Sequence, residues 1–151
     1  MLYPLIRITK DIYMSKVIGI SDVDVFMNNS LLLFKRFKKA YENKDIHALA
    51  DTISEHFSGS YYGAKTKIQF LNLMRKVFES MPLLINPHLV IEVTNIETNT
   101  EYEFKGIIKL KAMIEVVFIP IPWQYDSGKV LCQAKPEGNL KYWRITSLES
   151  Q

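Results

Sequence analysis

The stretch Tyr102-Glu-Phe-Lys-Gly-Ile-Ile-Lys-Leu-Lys-Ala-Met-Ile-Glu-Val-Val-Phe118 decides the fold class. Its even positions Phe104, Ile108, Leu110, Ala112, Ile114, Val116 and Phe118 are apolar, with Gly106 the one gap. The odd positions carry Glu103, Lys105, Lys109, Lys111 and Glu115. Successive strand side chains point to opposite faces, so the pattern predicts one long strand with a buried and a wet face. That is the signature of an antiparallel sheet covered on one side. Gly106 predicts a bulge or bend. An acid could reach the buried face only through a bulge that shifts the alternation by one.

Outward from this strand, the same period of two continues on both sides. Leu89, Ile91 and Val93 alternate with His88, Val90, Glu92 and Thr94, and a turn is expected around Thr98-Asn99-Thr100. Pro120 and Pro122 exclude a central strand, so 119–125 is expected as a loop or edge, followed by a turn at Asp126-Ser-Gly128. Strands over 130–135 and 140–149, joined by Pro136-Glu-Gly-Asn139, close the chain.

The first half reads instead with a helical period. Over 22–43, Phe26, Leu33, Phe34, Phe37, Ala40 and Tyr41 share one stripe, with Asn28-Asn29-Ser30 an alternative and shorter start. Asp45 caps a second helix with Ile46, Leu49, Ala50 and Ile53 facing inward. His56-Phe-Ser-Gly-Ser-Tyr-Tyr62 reads as a short strand ending at Gly63. Thr66-Lys-Ile-Gln69 is a capping box opening a third helix, whose stripe is Phe70, Leu71, Met74, Val77, Phe78 and Met81; Pro82 stops it. Helices followed by an antiparallel meander predict an α+β fold with the helices on one face of the sheet.

Composition bounds the rest. The chain has 151 residues, 48% hydrophobic, with a net charge of +3. That length suits one domain, expected over 21–151 after an extension (1–20) without a clear period. Met14 is an alternative start to Met1. No apolar run approaches the roughly 18 residues of a membrane span, and residues 1–10 lack the pattern of a secretory signal. A cytoplasmic protein that does not engage a membrane is therefore expected. Lys35, Arg36, Lys38 and Lys39 form the one dense basic patch, without the interleaved aromatics of a nucleic-acid module, so no nucleic-acid partner is expected. Cys132 stands alone, which excludes an internal disulfide. His47, His56 and His88 have no ligand spacing, and neither a phosphate loop nor a dinucleotide fingerprint is present; no metal or cofactor is expected.

The order of elements resembles the nuclear transport factor 2-like superfamily, which includes SnoaL-like polyketide cyclases and ketosteroid isomerases. The marks are Phe37-Lys-Lys-Ala-Tyr-Glu-Asn-Lys-Asp45, the short helix after it, Tyr61-Tyr-Gly63, Ile68-Gln-Phe70 and Tyr142-Trp-Arg-Ile145, spanning roughly 22–149. The resemblance implies a cone, the cystatin-like arrangement, in which a curved antiparallel sheet wraps three N-terminal helices around an apolar pocket. It also implies homodimers through the outer sheet face.

In isomerases of this fold the general base lies on the short strand before the third helix, but Phe57-Ser-Gly-Ser-Tyr-Tyr62 contains no acid. The remaining catalytic candidates are Tyr61, Tyr62, His56, His88 and Asp126. For ligand binding they are Tyr61, Tyr62, Trp123, Tyr125, Phe37 and Phe78. Tyr61 and Tyr62 alternate, so one hydroxyl should face inward. The simpler alternatives are rim histidines and a turn-forming Asp126. Three functions follow from these residues: binding of a small hydrophobic molecule, a SnoaL-like isomerase, cyclase or lyase, and a protein-docking module using Ile107, Met113 and Val117.

Overall fold

A computed structural model describes residues 6–8, 29–114 and 124–151, the side chains of 6–8 excepted. In chain order the elements are β1 (Ile6–Ile8), α1 (Asn29–Glu42), α2 (Ile46–Ala50), α3 (Lys67–Glu79), β2 (His88–Asn99), β3 (Phe104–Met113), β4 (Gln124–Asp126), β5 (Val130–Glu137) and β6 (Tyr142–Ser150). The architecture is α+β: a curved, unclosed antiparallel sheet in the order β1-β2-β3-β5-β6, with β4 on β3. The strand Ile6–Ile8 lies within the stretch expected as an extension and pairs with the edge of β2.

The second and third helices start where side chains supply the missing backbone partners. Asp45 accepts from the Ala48 N–H at 3.0 Å and Thr66 from the Gln69 N–H at 3.2 Å. The Gln69 side chain reaches back one residue further than a standard capping box, accepting from the Lys65 N–H. The described part of the first helix begins at Asn29, and the longer expected start from 22 lies outside the described residues. Its stripe Leu33, Phe34, Phe37, Ala40 and Tyr41 is buried together with Phe70, Met74 and Phe78 of α3. The inward sheet positions Leu89, Ile91, Val93, Phe104, Ile108, Leu110 and Ala112 complete the same core. Phe26 and Glu115 through Phe118 lie outside the described residues.

Two local devices shape the sheet. Opposite Gly106 the β2 register slips twice, between Val93 and Asn95 and between Ile96 and Thr98. A Cβ on Gly106 would stand 2.5 Å from the Asn95 carbonyl oxygen, so the strands approach here as only glycine permits. The irregularity thus sits on the partner strand, with the glycine as its counterpart. The second device is Ser127. The free edge of β3 pairs first with β4 at 111–113 and then with β5 at 104–108. Ser127 fills the step: its N–H donates to the Leu110 carbonyl, and its hydroxyl accepts from the Leu110 N–H.

The segment expected as a strand at 56–62 is not one. It runs parallel beside β6 and meets it through single bridges at Ile53–Ile145 and Ser60–Glu149. Its N–H groups at Ser54, Ser58 and Ser60 donate to carbonyls of Ile145, Thr146 and Leu148. A β-bulge in β6 near Thr146 and the tight packing of this segment break the regular ladder that alternation alone would predict. The segment ends in a two-residue turn, Tyr62-Gly63, closed by paired bonds between Tyr61 and Ala64. Among the described residues no helix is long and apolar enough to cross a membrane.

Candidate functional site

Three tyrosines from three elements meet inside the sheet. Tyr41 comes from the last turn of α1, Tyr61 from the residue before the 62–63 turn, and Tyr125 from the middle of β4. The Tyr61 and Tyr125 hydroxyls hydrogen-bond to each other. The Tyr41 ring lies 6.4 Å from the Tyr125 ring, with Phe37 stacked on one side and Phe78 edge-on at 5.3 Å. Phe70 packs against Tyr61 at 5.5 Å. Tyr41 and Tyr61 are fully buried.

Among the described residues the hydroxyl of Tyr41 has no hydrogen-bond partner. Such an orphan is uncommon, because a buried polar group without a partner costs about 1–3 kcal/mol. The donor count sharpens the point. Each phenol carries one O–H. The three hydroxyls therefore hold three hydrogens, and the Tyr61–Tyr125 bond uses one of them.

Electrostatics fixes what these groups can do. Burial drives the Tyr41 phenol far above its ordinary value, with Tyr125 adding to the effect. Tyr61 is raised for the same reasons, burial first and then Tyr125. Burial pushes Tyr125 up to about 12 against a downward pull from the Tyr61 hydrogen bond. All three stay neutral at physiological pH. They can donate to a ligand oxygen and cannot serve as bases there.

The other expected site residues fall elsewhere. Tyr62 is 56% exposed, and its hydroxyl donates to the Ser127 carbonyl. His56 is exposed, and its backbone N–H donates to the Ser54 hydroxyl. Nδ1 of His88 lies 3.1 Å from a Glu42 carboxylate oxygen. Asp126 accepts from the Gly128 N–H at 2.8 Å, a turn-forming contact, and it acts on Tyr125 only as a weak neighbouring charge. Trp123 lies outside the described residues. Among the described residues no group of three or more His, Cys, Asp or Glu side chains could hold a metal ion.

Tyr41 is the candidate site residue that sequence reasoning missed. It reads as one more core position on the α1 stripe. The available signal was its hydroxyl, which a helix residue facing the closed side of a sheet must either satisfy or leave orphaned.

No protein-family model matches the chain, and no curated protein matches it in sequence. Solved structures do match. A conserved protein from Planctomyces limnophilus superposes with a TM-score of 0.61 at 11% identity, over 85% of this chain and 95% of that one. A nuclear transport factor 2-like protein of unknown function from Shewanella oneidensis gives 0.59 at 13%, over 81% and 95%. A protein of unknown function with a cystatin-like fold from Nostoc punctiforme gives 0.55 at 13%, over 85% and 90%. The chain has the nuclear transport factor 2-like fold. At these identities the likeness shows the fold alone, and function must be argued from the tyrosines.

Proposed function

We propose that this nuclear transport factor 2-like protein binds a small, largely apolar molecule and orients it by one acceptor atom, a carbonyl oxygen or its equivalent, against Tyr41. The observation that carries the reading is the orphaned Tyr41 hydroxyl, buried among Phe37, Phe78 and Tyr125. An acceptor there would remove a standing penalty, and the ring faces around it would supply apolar contact. The Tyr61–Tyr125 pair keeps a second O–H for the same atom.

Binding ranks above isomerase, cyclase or lyase chemistry because proton abstraction needs a base within hydrogen-bond reach. The three phenols are held neutral, while the side chains of His88 and Asp126 make their contacts away from them and His56 is exposed. A homodimer through the outer sheet face belongs to the same proposal. Half-buried Ile107 and Leu131 with exposed Met113 on that face support it, and light scattering at micromolar concentration tests it.

The binding test uses prodan, an apolar naphthalene ketone whose emission responds to its surroundings. Saturable binding to the protein, weakened about fivefold to tenfold in Tyr41→Phe by the loss of one hydrogen bond, is the expected result. An absence of saturable binding, or equal affinity in the variant, would contradict the assignment.

A further inference from the structure

Tyr62 occupies a position that its residue type does not favour. The turn Tyr61–Ala64 has φ of +49° at Tyr62 and +84° at Gly63. Both central residues are left-handed, as in a type I′ turn, where Asn, Asp or Gly is preferred first. An aromatic side chain there carries backbone strain, and strain that persists points to a role for the side chain.

The side chain has a defined seat. Its ring stands edge-on to the buried Tyr61 ring, centroids 4.9 Å apart at 89°. The hydroxyl crosses to the Ser127 carbonyl in the turn after β4, and a Cβ on Gly128 would come within 3.9 Å of the Tyr62 oxygen. The two turns are separately pinned to the end of β6. Ser150 donates from its N–H to the Ser60 carbonyl, and Gln151 donates to the Lys129 carbonyl. Ser127 is itself held by Leu110. The Tyr62 ring therefore bridges two anchored turns against the ring of Tyr61, whose hydroxyl bonds to Tyr125, and it remains 56% exposed while Tyr61 is fully buried.

We propose that Tyr62 is the gate of the tyrosine cluster: its ring covers Tyr61, its bond to the Ser127 carbonyl is the latch, and rotation of this one side chain opens the cluster to solvent and to the ligand. The inference deepens the binding assignment by naming the route of access. Because both turns are fixed through backbone bonds, opening requires a change of rotamer and no unfolding. Exposed side chains make such changes on the picosecond-to-nanosecond scale.

Hydroxyl-radical footprinting read by mass spectrometry measures the gate without any ligand. Oxidation at Tyr61 is expected to rise about fivefold or more in Tyr62→Asn, which removes the ring and suits the turn. A smaller rise is expected in Tyr62→Phe, which loses the latch alone, the effect of one hydrogen bond on an opening equilibrium. The melting temperature of Tyr62→Asn should equal or exceed that of the unaltered protein, so the rise would not report unfolding. Unchanged Tyr61 oxidation in both variants would overturn the gate. Should Tyr62→Asn not fold, Tyr62→Phe decides alone. Failure of the binding assignment would show separately, as an absence of prodan binding to the unaltered protein.

Discussion

Two buried polar clusters in this molecule invite comparison. At the junction of α1 and β2, the Lys38 ammonium, on a side chain only 5% exposed, lies 2.7 Å from a Glu42 oxygen and donates to the Leu89 carbonyl. The same Glu42 oxygen accepts from the Leu89 N–H at 2.8 Å and faces His88. Both charges have partners, and the cluster clamps the helix to the start of a strand. Inside the sheet, by contrast, Tyr41, Tyr61 and Tyr125 share one hydrogen bond among three hydroxyls, and among the described residues Tyr41 has no partner. Polar groups that are buried and satisfied hold a fold together. Polar groups that are buried and unsatisfied weaken it, and each one calls for an explanation.

The contrast can be broken at either end. The largest effect is expected for Glu42→Ala, which strips Lys38 of its carboxylate and the Leu89 N–H of its acceptor. The cost should be about 3 kcal/mol, since removing one member of a buried pair leaves an uncompensated charge. Urea unfolding measures it, and a loss well below 1 kcal/mol would show the clamp to be solvated. Next comes Tyr125→Phe, which leaves the buried Tyr61 hydroxyl without its partner and should cost about 1–2 kcal/mol by the same measurement. The smallest effect belongs to Tyr41→Phe. Removing an oxygen that already lacks a partner should leave stability unchanged or raise it by up to about 1 kcal/mol. A clear loss there would mean that the hydroxyl is satisfied in solution.

How much of this was legible beforehand differs from element to element. The alternation from Phe104 to Ile114 and the described part of the α1 stripe follow directly from burial on one face; on α3, Phe70, Met74 and Phe78 are buried while Leu71 and Val77 are only partly so. Capping side chains at Asp45 and Thr66 were equally readable because their partners lie within four residues. What alternation could not supply was long-range geometry. The double register slip opposite Gly106, the irregular run from Ser54 to Ser60 beside β6 and the stepped edge at Ser127 all depend on partners far away in the chain.

The site shows the same division. Tyr61 was expected to alternate with Tyr62, and one of the two does turn inward. Its pairing with Tyr125, 64 positions away, and the convergence of both on Tyr41 arise only when α1, the 62–63 turn and β4 are assembled. Tyr41 itself was hidden because an aromatic on an apolar stripe packs the same way whether or not its hydroxyl finds a partner.

The most direct measurement is the infrared carbonyl stretch of bound prodan, compared between the unaltered protein and Tyr41→Phe. A ketone oxygen held by the Tyr41 hydroxyl should absorb at lower frequency than in an apolar solvent and shift upward when that hydroxyl is removed. The same frequency in both proteins would mean that the orphaned phenol receives no ligand.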